Sequence, residues 1–241
     1  MRLRRSTLFL SLVTVTLAAG CGGDDKGSNA NPIDYYQGEL SAKLGADGNQ
    51  ARCSTCHSNN GDLAGFSGNS LKDIAYLTQY KGGDAAKLID AVNACVTGWM
   101  GGQALTAEDD AYVLLEEYLQ SISSESVTTP NPFEPEVLAD EAAYQTAYAG
   151  GDAVAGEAKY AANCAKCHDA ALKLGFTSAL SKDALKVYTI GRIAQKVRTS
   201  GPPPSSSTPG AADTTGGPMP FFEPRELSAD DLKDIIAHLK M

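Results

Sequence analysis

The two pentapeptides CSTCH at 53–57 and CAKCH at 164–168 restrict this chain more than anything else in it. Each reads Cys-x-x-Cys-His. Two thiols at that spacing match the two vinyl groups of one porphyrin, and the His that follows lies beneath the ring as an iron ligand. The motif is therefore a c-type haem attachment site, present twice: Cys53, Cys56 and His57, then Cys164, Cys167 and His168. A four-Cys zinc site is the structural alternative. It fits poorly, because the Cys pairs lie far apart and both adjacent His residues are left without a role.

The first twenty residues read as a secretory signal. Arg2, Arg4 and Arg5 form a basic start, and Leu8 to Leu17 form an apolar stretch too short to span a bilayer. Leu17-Ala18-Ala19-Gly20-Cys21 then resembles a bacterial lipobox, which makes Cys21 the expected lipidated first residue of the mature chain. Ordinary cleavage beside an incidental Cys is the plainer alternative. Residues 21–31 are polar and Gly-rich, as a flexible tether would be. Loss of three Arg from the 20 Lys+Arg leaves 17 against 29 Asp+Glu, a formal charge of −12. That balance argues against nucleic acid and for basic protein partners. With Cys21 assigned to lipid and four Cys to haem, only Cys95 of the six is left, so no internal disulfide is expected. An exported chain of this kind fits the bacterial periplasmic side, tethered to a membrane.

The two halves repeat an order of features. Asp152 is a plausible N-cap for a helix running through Gly156 and Tyr160 into Cys164. In the first half a helix over about 32–44 carries Tyr35, Tyr36 and Gly38, and a polar GADGNQ loop precedes Cys53. SLKDIAYLTQY (70–80) corresponds to ALSKDALKVY (179–188), and helical patterns follow at 85–95 and 189–197. Each half then reaches a Met beside Gly: Met100 in GWMGG and Met219 in GGPMPFF. Thr106 with Asp109, and Ser228 with Asp231, have the spacing of capping boxes for closing helices. Leu114, Leu115, Tyr118 and Leu119 form one apolar face, and Leu232, Ile235, Ile236 and Leu239 the other. No segment alternates at period two, so the expected fold class is all-α. The Pro- and Thr-rich stretch within 123–149 reads as a linker, with a short helix over 138–148. GPPPSSSTPGAADTTGG (201–217) reads as a surface loop, with partner docking or gating as the functional alternative.

Helix, Cys-x-x-Cys-His, helices, Met loop and closing helix, in that order, resemble the class I c-type cytochromes, here twice over at 32–122 and 150–241. The resemblance implies that the first and last helices of each unit cross, with a haem in a helical pocket. Gly156 and Tyr160 match the pattern at that crossing, whereas the GADGNQ insert departs from it in the first unit.

The residue inventory narrows the iron ligands. Of three His, two belong to the motifs, so bis-His ligation of two haems within one chain is impossible. His238 is expected at the surface or at a helix crossing. Met1 leaves with the signal and Met241 lies at the fraying end, which leaves Met100 and Met219, one per half. As the family pattern requires, both sit in Gly- or Pro-containing loops, giving His57/Met100 and His168/Met219. Cys95 is expected to be a small buried apolar residue, with thiolate ligation as the minority reading. Trp99 is expected to pack near the haem edge, and Arg192 and Arg198 to be solvated or paired with a propionate.

The expected function is electron carriage by two covalently attached haem c groups cycling between Fe(II) and Fe(III). The rivals are a dihaem enzyme of peroxidase or thiosulfate-oxidising type and a relay subunit of an oxidoreductase. The mature protein is expected to begin at a diacylated Cys21. Mass spectrometry of the N-terminus checks this, and a soluble chain starting beyond Cys21 refutes it.

Overall fold

The computed structural model describes residues 30–58, 70–130, 134–200 and 219–241. The signal, Cys21, most of the tether and the loop 201–217 lie outside the described residues. The first half holds α1 (Asp34–Gln37), α2 (Glu39–Ala42), α3 (Cys53–Cys56), α4 (Leu88–Gly98) and α5 (Asp110–Ser121). The second holds α6 (Glu141–Ala147), α7 (Ala153–Asn163), α8 (Ala165–His168), α9 (Lys182–Leu185), α10 (Ile190–Thr199) and α11 (Ala229–Leu239). One two-residue hairpin, β1 (Lys173–Leu174) with β2 (Thr177–Ser178), qualifies the all-α expectation. The fold is mostly helical. The hairpin escapes a period-two search because each strand is too short to show one.

Two apolar clusters, one per half, hold the elements together. In the second half α7 and α11 cross at close range. A Cβ at Gly156 would lie 2.0 Å from the Asp234 carbonyl oxygen and 2.9 Å from the His238 Cβ, so only glycine permits the approach. Tyr160, one turn further on, is buried with its ring centroid 5.6 Å from that of His238. His238 is thus buried at the crossing, where Lys182 Nζ lies 2.7 Å from its Nε2. Both crossing helices are capped as the sequence implies. Asp152 accepts from the amides of Val154 and Ala155, and Ser228 Oγ accepts from Asp231 N. Leu232, Ile235, Ile236 and Leu239 all face the core, the stripe that spacing three and four places on one side of a helix.

The first half departs further from expectation. Its opening helix is broken at Gly38, whose extended backbone (φ −85°, ψ −174°) separates α1 from α2. Tyr36 still packs on Tyr118 of α5, with ring centroids 5.0 Å apart, so the meeting of first and last helices survives the break. Helix α5 begins after Asp109, not Thr106; the Thr106 amide donates instead to Asp109 Oδ2 at 2.6 Å, forming a turn ahead of the helix. Tyr112 joins Leu115, Tyr118 and Leu119 on its buried face, while Leu114 is only half-buried. Residues 70–80 form turns, and a short 3-10 turn at Lys81–Gly83 precedes α4.

Arg198 is not solvated. It is fully buried on α10, donating from Nε to Tyr148 Oη at 2.7 Å and from Nη1 to the carbonyls of Phe222 (3.1 Å) and Leu227 (2.7 Å). Tyr148 in turn donates to Glu136. The segment expected as a linker therefore supplies buried parts of the second half, Tyr144 and Tyr148, through α6 packed on α10.

Gly156→Val is expected to destabilise the fold by about 3 kcal/mol, because the new side chain meets backbone that cannot retreat. Val154→Ala, at an exposed position on the same helix, should change stability by less than about 0.5 kcal/mol. Chemical unfolding of the two variants checks the contrast.

Candidate functional site

Each Cys-x-x-Cys-His motif occupies a single helical turn. Cys53 and Cys56 bound α3, and the His57 amide donates to the Cys53 carbonyl at 3.0 Å. In the second motif the His168 amide donates to the Cys164 carbonyl at the same 3.0 Å, and α8 carries Cys167 and His168. Residues at i, i+3 and i+4 share one face of a helical turn, so both thiols and the imidazole leave the backbone on one side. Local contacts fix the first turn: Thr55 Oγ1 accepts from the Arg52 amide (3.0 Å), and Ser41 Oγ from the Cys53 amide (3.0 Å).

The first motif opens into a cavity of about 440 Å³. Cys53, Cys56 and His57 line it, together with Met100 at the end of α4 and an apolar wall that includes Leu71, Ile74, Leu88, Val92 and Leu115. A cavity of this size with this lining suits a cofactor held mainly by apolar contact. Trp99 also lines it, and its indole Nε1 is buried with no hydrogen-bond partner among the described residues. A buried donor left unmatched is costly, and a carboxylate carried by a bound group such as a porphyrin propionate would satisfy it. The residues present fit a covalently attached haem. Among the described residues no three His, Cys, Asp or Glu side chains converge as a closed metal cage would require.

In the second motif, His168 Nδ1 lies 2.6 Å from the Leu180 carbonyl oxygen. That bond makes Nδ1 the protonated nitrogen and leaves the Nε2 lone pair for a metal. Asp169, next in the chain, accepts from Tyr160 Oη at 2.7 Å, tying the motif to the helix crossing. Cys164 and Met219 both pack against the second apolar cluster, so this half also brings its motif and its Met to one core.

Burial controls the thiols. It pushes Cys53 up to about 11, against the Ser41 hydrogen bond that lowers it, and Cys164 up to about 12. Cys56 is held well above its ordinary value by burial and by the neighbouring Cys167, Cys95 and Cys53 thiols, and burial likewise raises Cys167. All four are neutral at pH 7, as groups set in apolar surroundings should be. Cys95 is only half-buried and faces the first cavity, which corrects its expected place in the core. Lys81 Nζ lies 4.0 Å from its Sγ.

The two motifs meet across the seam between the halves. Lys166, between Cys164 and Cys167, donates to the Ser54 carbonyl. The seam is built on the GADGNQ loop. Gln50 N donates to Lys173 O (2.9 Å), Lys173 N to Gln50 Oε1 (2.9 Å), and Gly175 N to Asn49 Oδ1 (3.0 Å). Asn49 Nδ2 also donates to the Ala42 and Ala51 carbonyls, and Oδ1 accepts from the Ala51 amide, so its full bonding capacity is used. Gly175, at φ +56°, lets the hairpin approach the Met100 backbone, where a Cβ would lie 2.9 Å from the carbonyl carbon. In the other direction, Pro220, Phe221, Arg225 and Glu226 of the second half line the first cavity. The sequence offers no signal for this cross-half wall, since nothing in a polar loop or a turn names its partner.

One comparison with known proteins covers the second motif. Residues 151–239 match the family model described as cytochrome c oxidase, cbb3-type, subunit III. The second half carries a cytochrome c domain. Such a domain implies covalently bound haem c, which Cys164 and Cys167 are spaced to hold. Among solved structures, thiosulfate dehydrogenase (TsdBA) from Marichromatium purpuratum is similar at 16% identity and a TM-score of 0.42, over 87% of this chain and 44% of that one. This chain thus spans less than half the length of that protein. No curated protein matches it.

Asn49→Ala strands the Gly175 and Ala51 amides together with two carbonyls at the seam. It is expected to cost about 2 kcal/mol, read as a lower unfolding midpoint with faster amide exchange at Gly175 than at α11 residues.

Proposed function

We propose that the chain is an exported dihaem c-type cytochrome, two class I-like helical units in tandem, that carries electrons between protein partners. One observation carries the reading: both Cys-x-x-Cys-His motifs adopt the same one-turn geometry, with the His amide bonded to the first Cys carbonyl. A cytochrome c domain over one of them supports it. Bound haem supplies reversible one-electron Fe(II)/Fe(III) chemistry. The chain supplies the rest. Cys53 and Cys56, and Cys164 and Cys167, anchor the two groups. His57 and Met100 would hold the iron of the first group, and His168 and Met219 that of the second. Met100 is buried in the first cavity. The Leu180 carbonyl orients His168, and Trp99 holds a donor ready at the cavity wall.

In the same reading Cys21 is lipidated and residues 21–31 tether the protein to a membrane on the bacterial periplasmic side. No helix of the described residues is long and apolar enough to cross a membrane. The acidic mature chain exchanges electrons with partners that present basic docking surfaces. Exchange should slow as ionic strength rises and screens the encounter.

A second reading rests on Cys95, whose thiol faces the same cavity as His57 and Met100. A thiolate there would serve sulfur chemistry and make the protein an enzyme. Turnover separates the two. The carrier is reduced and reoxidised rapidly by small mediators, with negligible turnover of peroxide or thiosulfate. Rapid turnover lost in Cys95→Ala replaces the carrier with the enzyme.

The protein mass should carry two haems. Met219→Ala should keep both covalently attached while abolishing the methionine–iron charge-transfer band of one and lowering its potential, since a thioether favours the ferrous state. Met100→Ala should do the same at the other. Visible spectra followed through a redox titration check both variants, and unchanged haems in either refute that ligand.

A further inference from the structure

We propose that Glu226 is a proton-binding residue coupled to the oxidation state of the group held in the first cavity, an inference that rests on the haem reading above. Glu226 belongs to the second half, on the turn that follows Phe222, yet it lines the cavity that Cys53, Cys56, His57 and Met100 share. Its carboxylate is fixed from behind, because Oε2 accepts from the Glu223 amide at 3.1 Å. The side chain therefore stays at the cavity wall.

The groups around it determine its charge. On its own turn, Glu223 is fully buried and Arg225 Nε lies 2.5 Å from Glu223 Oε2, so much of the Arg225 charge is already answered. Behind the turn stands Arg198, itself 3.6 Å from Glu136 Oε2. Across the cavity are Arg52, Lys81, His57 and the thiols of Cys53, Cys56 and Cys95, with Tyr36 and Tyr80 further along the wall. Arg52 is already paired with Glu39. Burial is the largest influence and pushes Glu226 up to about 7. Glu223 adds to the rise, whereas the Glu223 amide hydrogen bond, Arg225 and Arg198 oppose it. The residue thus titrates where a carboxyl ordinarily would not.

The direction of the coupling follows from charge. A positive charge in the cavity favours the carboxylate, and reduction of iron there removes one positive charge. Glu226 accordingly binds a proton more tightly in the reduced protein. One electron enters from a reduced protein donor and is held at the iron. One proton enters from solvent and is held on a Glu226 carboxylate oxygen. Reoxidation returns both. By linkage, the midpoint potential of this site falls as pH rises through the window around 7.

The experiment is a redox titration of the full-length, haem-loaded protein at a series of pH values from about 5.5 to 8.5, in wild type and Glu226→Gln. The expected result is one haem whose potential falls with pH in wild type, a dependence lost in Glu226→Gln and retained in Glu226→Asp. The redox-difference infrared spectrum of wild type should gain a protonated carboxyl band on reduction, and Glu226→Gln should lack it. The infrared result on wild type alone decides the matter should the glutamine variant load haem poorly. A pH-independent pair of potentials in wild type, or a dependence that persists in Glu226→Gln, overturns the proposal and leaves the carrier reading intact. A protein whose mass shows no haem on Cys53 and Cys56 overturns both.

Discussion

The seam between the halves depends on one side chain. Asn49 has two donors and two acceptor positions, and all four are used: one on Ala42 at the end of α2, two on Ala51 and one on Gly175 of the opposite half. A polar group buried to this degree must be fully bonded or it destabilises its surroundings. Because the bonds are complete only when the hairpin is docked, Asn49 makes the relative placement of the halves part of the fold. The other seam contacts follow from that docking. Gly175 reaches the Met100 backbone, Lys166 reaches Ser54, and the Phe221–Glu226 turn closes the first cavity.

A similar logic holds the second half together at Arg198. A guanidinium taken out of water needs acceptors in number, and the fold gives it a tyrosine hydroxyl, two carbonyls and a nearby carboxylate. Those partners come from before α7 and after α10. The arginine therefore gathers distant stretches of chain onto one helix, including the segment that carries Glu223 and Glu226. The charge that fixes the turn behind the cavity also lowers the tendency of Glu226 to bind a proton, which burial then outweighs.

What the sequence disclosed, and what it did not, divides along physical lines. The helix crossing of the second half was legible because its signals are local: a cap at Asp152, a cap at Ser228, glycine at 156 and an apolar stripe at spacing three and four. The motifs were legible because thioether chemistry tolerates little variation in spacing. The break at Gly38 was hidden, since a single glycine in a helical pattern is usually tolerated. Arg198 looked solvated because sequence shows a charge and a helix but not the carbonyls folded around them. The GADGNQ loop read as an interruption of the family pattern, whereas it is the surface on which the second half docks. Non-local contacts of that kind leave no periodicity to read.

The position of the motifs at the seam has a consequence for how such a protein is made. Cys53, Cys56 and Cys164 are largely buried, and the first cavity is walled in part by residues of the second half. On the proposed function, an attachment machinery has to reach both cysteine pairs while the chain is still open, before Asn49 and Gly175 meet. A chain that misses its first haem would close over an empty apolar chamber and expose that defect along the whole seam. On that reading the two sites would mature together, although each motif is written separately in the sequence.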